Sequence, residues 1–87
     1  MFSLYDRKAL VYGNPFVSPS NAAALRTFSF EVNRVADGNM LNSHPADFEL
    51  FLLGQFDDVS GQLVPHDLGN VPLGSGLDVK LPNPVQG

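Results

Sequence analysis

Residues 44–64 read HPADFELFLLGQFDDVSGQLV and contain the densest apolar run of the chain, Phe48 to Leu53. A corner rich in glycine and aspartate follows over residues 54–61, and a second apolar pair comes at Leu63 and Val64. Aspartate and glycine favour turns, and glycine accepts a positive φ before strand pairing resumes. The stretch therefore predicts a strand, a turn and a second strand.

The first of these strands carries apolar side chains on both of its faces. Phe48, Leu50 and Leu52 alternate onto one face, and Phe51 and Leu53 onto the other. A strand of this kind is covered on both sides. We therefore expect it to be central in its sheet, with the rest of the chain providing the cover.

Chain length and composition limit the classes of protein to consider. The 87 residues suffice for one domain, and a chain of this size buries only about 60% of its unfolded surface, so self-association is expected. The absence of cysteine excludes a disulfide framework and a thiolate metal site. We find no signal peptide and no apolar run near the ~20 residues of a membrane helix, and so expect a soluble intracellular protein.

The net charge of −4 argues against a protein that coats nucleic acid by bulk electrostatics. The charge is unevenly distributed, however. Met1 to Ala36 contains four basic and two acidic residues, whereas Asp37 to Gly87 contains one basic and seven acidic residues. A basic surface is therefore expected in the N-terminal part.

Two strands and a helix are predicted ahead of residue 44. Phe2–Tyr5 and Ala9–Tyr12 are extended patterns separated by a charged turn. A helix is expected to begin at Ser18-Pro19, since serine caps free N–H groups and proline is tolerated in the first turn. The helix is expected to run to about Val35, shortly before a glycine stop.

One side of the predicted helix has an apolar stripe that would pack on the sheet. The stripe comprises Ala24, Leu25, Phe28, Val32 and Val35. Phe30 projects on the other side, near Arg26 and Arg34, and an aromatic ring flanked by guanidinium groups suits base stacking and phosphate neutralisation. The alternative is that Phe30 packs against a second subunit or a tail of its own chain, with the arginines as a solvated rim.

Proline and glycine recur along the chain past Val64, and no helical or strand periodicity extends there beyond a few residues. We interpret residues 1–66 as one α+β domain and residues 67–87 as an extended Pro/Gly-rich C-terminal arm. Several apolar residues between Leu68 and Leu81 predict that parts of the arm lie along the body or along a partner subunit.

Residues that could perform catalysis are sparse and scattered. His44 and His66 lie far apart in the sequence, and neither has the spaced partner that a metal site needs. The Asp57-Asp58 pair is better explained as a turn. We therefore predict that the protein is not an enzyme and that it has no cofactor and no metal site.

The elements combine into an α+β fold: a small antiparallel sheet with one helix packed on one face and the extended C-terminal arm. Two N-terminal strands and a hairpin over the central stretch would form the sheet. The alternative architecture is a small open barrel of the kind that binds single strands.

Four segments carry a family resemblance: LYDRKA from Leu4, NPFVSPSNAAALRTF from Asn14, Val32-Asn33, and the run from His44 to Val64. In this order and spacing they resemble the small nonstructural proteins of gokushoviruses, single-stranded DNA phages of the microvirus family. The resemblance covers about residues 4 to 64. The resemblance implies a nonstructural or DNA-binding protein that acts in genome replication or packaging in the host cytoplasm. It implies no catalytic residue.

The functional hypothesis is therefore a noncatalytic phage protein that binds single-stranded DNA as a homo-oligomer, with a dimer favoured and no membrane contact. The predicted binding or interface residues are Arg7, Lys8, Arg26, Phe30 and Arg34. The alternative is a protein-interaction module that binds a phage or host replication or packaging protein without touching DNA.

Overall fold

The computed structural model describes residues 1–81, so the last six residues of the predicted arm lie outside the described chain. Residues 1–81 form six strands, and their helical segments are short except for α1. The elements in chain order are β1 Phe2–Asp6, β2 Val11–Tyr12, α1 Asn21–Asn33, α2 Met40–Ser43, a 3₁₀ turn Pro45–Asp47, β3 Phe48–Leu52, β4 Gly54–Asp57, β5 Gln62–Pro65, β6 Val71–Ser75 and α3 Gly76–Val79.

Four of the strands form one antiparallel sheet with the order β2-β1-β3-β6. β3 lies between β1 and β6, so the prediction of a central strand is confirmed. Leu4 lies opposite Leu50, and Phe2 lies opposite Leu52. The predicted α+β class, with a small antiparallel sheet and a helix on one face, is likewise confirmed.

The core lies between this sheet and α1. Its buried members are Phe2, Ala24, Phe28, Val32 and Leu50, with Phe48, Leu52 and others packed around them. The three from α1 are spaced by four residues, which places them on one side of the helix. The predicted grouping of Phe28 and Val32 with the apolar face of β3 is confirmed.

The ends of α1 differ from the prediction by two or three residues. The N-cap is Ser20 rather than Ser18, and its hydroxyl accepts a hydrogen bond from the Ala23 amide at 3.0 Å. The helix ends at Asn33, because Arg34 is already extended. Val35 therefore leaves the predicted apolar stripe and is 87% exposed.

The expected cover on both faces of β3 is present only in part. α1 packs on the Leu50 face only, and no helix of the described chain packs on the opposite face, where Phe51 points. Phe51 is instead half-buried among aromatic side chains of neighbouring strands. The sheet thus has one open face.

The predicted pairing of β3 with the second apolar segment is also wrong. β3 ends at Leu52, and a separate two-stranded hairpin follows, in which Gly54 lies opposite Pro65 and Phe56 opposite Leu63. Gly54 permits this change of direction, since a Cβ atom there would collide with the Val64 carbonyl. We call residues 54–65 the hairpin arm.

Part of the predicted C-terminal arm lies within the sheet. Residues Val71–Ser75 are extended, as expected of the arm, but they pair with β3 as β6. The short helix α3 then returns the chain to α1, where the Asn33 side chain donates to the Val79 carbonyl and accepts from the Leu81 amide. A boundary at residue 66 therefore does not separate the sheet from the segment that follows it.

Candidate nucleic-acid and subunit interfaces

Three aromatic rings pack together on the open face of the sheet. The ring centroids are 4.8 Å apart for Tyr5 and Tyr12, 6.2 Å for Tyr5 and Phe51, and 5.5 Å for Tyr12 and Phe51. The pairs meet at steep angles, as aromatic rings prefer. Tyr12 is 43% exposed, so the cluster presents aromatic surface to solvent. We call these three residues the aromatic face.

Strand register brings these rings together. Tyr5 lies directly opposite Tyr12 in the β1–β2 pair. On β3, Phe51 lies opposite Ser3 of β1 and is therefore a diagonal neighbour of Tyr5. Ser3 is fully buried, and its hydroxyl donates to the Gly13 carbonyl at 2.8 Å, which ties β1 to the end of β2. The small side chain at this position leaves room for the rings around it.

Cationic side chains lie at one edge of the aromatic face. The Arg7 guanidinium forms an ion pair with Glu49 at 2.8 Å, and Glu49 lies opposite Tyr5 in the sheet. Half of the Arg7 side chain remains exposed. Lys8 is exposed in the adjoining turn, which the Asp6 carboxylate holds by accepting from the Lys8 and Ala9 amides.

A second surface lies on the outer side of α1. Arg26, Phe30 and Arg34 are spaced by four residues and lie opposite the buried side of the helix. The Phe30 ring is 67% exposed. Arg34 binds Glu31 at 3.0 Å, and this hydrogen bond, together with the charge of Glu31, raises the pKa of Arg34. No carboxylate of the described chain lies within ion-pair distance of Arg26.

The structure divides the five predicted site residues between these two surfaces. Arg7 reaches Glu49, which lies on the sheet face opposite α1, because Glu49 alternates with the buried Leu50. Arg26, Phe30 and Arg34 lie on the outer side of α1. The arginines of the helix and of the first turn therefore do not form one patch within a chain. Their role in binding stays a prediction.

The aromatic face was absent from the sequence-based site. Tyr5 and Phe51 occupy the alternate positions of two predicted strands, so their position on one sheet face could have been inferred from period-two alternation. Tyr12 completes the cluster only through the β1–β2 register, which the sequence pattern did not specify.

The hairpin arm carries exposed apolar side chains. Phe56 and Leu63 lie side by side and are 46% and 62% exposed. At the turn, the Asp57 carboxylate accepts from the Val59 amide at 2.9 Å and from the Ser60 amide at 3.3 Å. These backbone hydrogen bonds lower the pKa of Asp57, and the bond from the Val59 amide contributes most.

A cleft of about 570 Å³ separates the base of the hairpin arm from the start of α1. It is bordered by Met1, Ser20, Gln55, His66 and Asp67, among others. Across residues 1–81, no three His, Cys, Asp or Glu side chains are grouped closely enough to hold a metal ion. None of the helices there has the length and apolar character needed to cross a membrane.

Comparison with known proteins gives one family. A family model described as Phage ORF5 protein matches residues 1–79. The chain is 38% identical over 74 residues to Protein ORF5 of Chlamydia phage 1, a match that covers 83% of this chain and 77% of the relative. No solved structure matches the chain.

Proposed function

The chain belongs to the Phage ORF5 protein family, and on that premise we propose that it binds single-stranded DNA during genome replication or packaging. The resemblance to a small gokushovirus-type phage protein is thereby confirmed. In this proposal the protein acts in the host cytoplasm as a homo-oligomer, without catalysis and without a cofactor.

The aromatic face carries this proposal. Single-stranded nucleic acids bind proteins by stacking their bases on aromatic rings, and an antiparallel sheet is a common platform for such rings. Tyr5, Tyr12 and Phe51 form a platform of this kind on a sheet face that α1 does not cover. Their mutual packing holds the rings in place before a ligand arrives, which reduces the entropy that binding would cost.

In this proposal the positive charge comes from Arg7, which pairs with Glu49 opposite Tyr5, and from Lys8, which is exposed in the adjoining turn. An acidic chain gains little from general attraction to DNA, so stacking is the main source of affinity in this proposal. With two cationic groups in contact, the logarithm of the binding constant would fall with the logarithm of salt at a slope of about −1.4. If Arg26 and Arg34 also contacted phosphates, the slope would be about −2.8.

The test is the binding of a fluorescently labelled oligothymidine to the full chain, followed by anisotropy at several salt concentrations. We expect binding at low salt with the shallower slope and no preference for duplex DNA. Binding with the steeper slope would move the site to a surface that includes α1. No binding at low salt would refute the proposal.

The second candidate is a module that binds a phage or host replication or packaging protein without DNA contact. The exposed ring of Phe30 favours it, since aromatic residues are enriched at the centre of protein interfaces. The same titration distinguishes the two candidates, because the protein-interaction module predicts no oligonucleotide binding at any salt concentration.

A further inference from the structure

We infer that the hairpin arm of one chain docks on the outer side of α1 of a second copy, and that the exchange is reciprocal. This gives a two-fold dimer in which each chain contributes one arm and one helix. The inference rests on the self-association included in the proposed function, but it needs no DNA.

Beyond its base, where the Met1 amino group donates to the carbonyl of the buried Gly54, the hairpin arm has little support within its own chain. It forms a two-stranded sheet of its own, and its residues are exposed from Gln55 to Pro65. A lone two-stranded hairpin is marginally stable in water and needs packing against another element. The described chain measures 49 Å by 25 Å by 22 Å, an elongated shape for so few residues.

Each of the two surfaces presents an apolar centre. On the hairpin arm, Phe56 and Leu63 lie opposite each other across β4 and β5 and form one apolar patch. On α1, the centre is the Phe30 ring. These side chains are exposed in the single chain, so its own hairpin arm does not cover its own helix.

The charges around the two centres are opposite in sign. Asp57 and Asp58 end β4 and begin the turn of the hairpin arm, next to Phe56. Arg26 lies one helical turn before Phe30, and Arg34 caps the end of the helix four residues after Phe30. Arg34 is already paired with Glu31, whereas Arg26 lacks a carboxylate partner within the described chain. Docking would place an acidic turn beside a basic helix.

The spacing between the apolar centre and the nearest charge is also similar on the two surfaces. Residues four apart on a helix are separated by about 6 Å along its axis. Asp58 follows Phe56 by two residues, in the turn just beyond the end of β4, so the chain separates them by at most about 7 Å. Phe56 can therefore contact Phe30 while Asp58 reaches Arg26 of the second copy.

A second copy is the occupant that satisfies both surfaces together. Every chain carries one hairpin arm and one basic helix face, so a two-fold arrangement covers all four surfaces with one kind of contact. A partner that covered only one of the surfaces would leave the other exposed.

The experiment is sedimentation velocity of the full chain without DNA over a range of micromolar concentrations. The parent should dimerise, and Phe56→Asp should raise the dimer dissociation constant about 30-fold or more, as for the loss of a central interface residue. Leu68→Asp, which changes an exposed apolar residue outside both surfaces, is the matched control and should leave the constant within about threefold.

A charge exchange identifies the contact itself. Arg26→Glu and Asp58→Lys should each weaken the dimer, and the double variant should restore it to within about threefold of the parent. A parent that stays monomeric, an unchanged constant for Phe56→Asp, or a double variant weaker than both single variants would overturn the inference. A monomeric variant that still binds oligothymidine would leave the proposed DNA binding intact, so failures of the two ideas are distinguishable.

Discussion

Tyr5 and Tyr12 face each other across β1 and β2 with their ring centroids 4.8 Å apart, on the side of the sheet that α1 leaves open. The rings meet at 55° and Phe51 contacts both edge-on. Aromatic pairs of this kind contribute about 0.5–1.5 kcal/mol beyond their buried area. The aromatic face is therefore part of what holds β2 to the sheet as well as the proposed site for bases.

Tyr12 is the residue of the cluster with which DNA binding is best tested, because it is the exposed one of the three and lies on a two-residue edge strand. We expect Tyr12→Ala to weaken oligothymidine binding by about 1–3 kcal/mol, the value of one stacked base. The salt slope should stay the same, because no cationic group is removed. Fluorescence anisotropy at several salt concentrations measures both quantities.

Two variants control this experiment. Tyr12→Phe keeps the ring and should bind within about threefold of the parent, while Val17→Ala removes an exposed apolar side chain elsewhere and should have no effect. Equal binding by the parent and Tyr12→Ala, with both folded by circular dichroism, would show that the bases stack elsewhere.

Leu50 is fully buried between β1, β6 and α1, so it is a sensitive probe of the core. Leu50→Ala should lower the free energy of unfolding by roughly 2–5 kcal/mol, through lost burial and the cavity left behind. Urea denaturation followed by circular dichroism measures the change. Phe30→Ala, at an exposed position, should change the free energy of unfolding of the monomer by about 0.5 kcal/mol or less. Equal destabilisation by the two variants would contradict the assignment of the core.

The central strand and the packed side of α1 were predictable from the sequence, because both depend on short-range periodicity. Leu50 falls in an apolar run, and Phe28 and Val32 recur at helical spacing. These patterns survive because burial of one helix side and one sheet face dominates local structure. The helix ends were less predictable, since Ser18 and Ser20 are both possible N-caps and only the geometry selects Ser20.

The partners of β3 were not predictable in the same way. Sequence order favoured pairing with the next apolar segment, whereas β3 pairs with the first strand of the chain and with Val71–Ser75. Strand pairing depends on tertiary position, which a local pattern does not encode. For the same reason the sequence did not predict the aromatic face. Tyr12 and Phe51 come together only because β1 lies between their strands.

Asn33 fixes the end of the described chain to α1. Its amide donates to the Ser29 carbonyl at 2.7 Å and the Val79 carbonyl at 3.0 Å, and its oxygen accepts from the Leu81 amide at 2.8 Å. Asn33→Ala removes these bonds. It leaves the exposed Leu81 amide to water and the Val79 carbonyl with only the Ser29 hydroxyl at 3.5 Å, and it should lower the free energy of unfolding by about 0.5–1.5 kcal/mol.

We expect the effect of Asn33→Ala to be local. Hydrogen exchange should quicken at the Leu81 amide and in α3, while the amides of β1 and β3 keep their protection. Ser20→Ala is a suitable comparison, because it weakens the other end of α1 through the lost cap, by about 1 kcal/mol. Equal protection of residues 76–81 in the parent and in Asn33→Ala would show that the segment is held by other contacts.

The turn of the hairpin arm should respond to acid through Asp57. The Val59 and Ser60 amides donate to its carboxylate and lower its pKa below the ordinary value of 3.8. A lowered pKa in the folded state means that the ionised carboxylate stabilises the turn. This stabilisation is fully present above pH 3.8 and is lost as the pH falls through the lower folded-state pKa.

The pH dependence can be followed in the amide proton shifts of Val59 and Ser60 by NMR. In the parent, both amide protons should shift together with a midpoint below 3.8 as the carboxylate takes up a proton. Asp57→Asn keeps an acceptor oxygen without the charge and should abolish this shift, whereas Asp58→Asn should leave it in place. A midpoint at or above 3.8 in the parent would mean that the two amides do not hold the Asp57 carboxylate in solution.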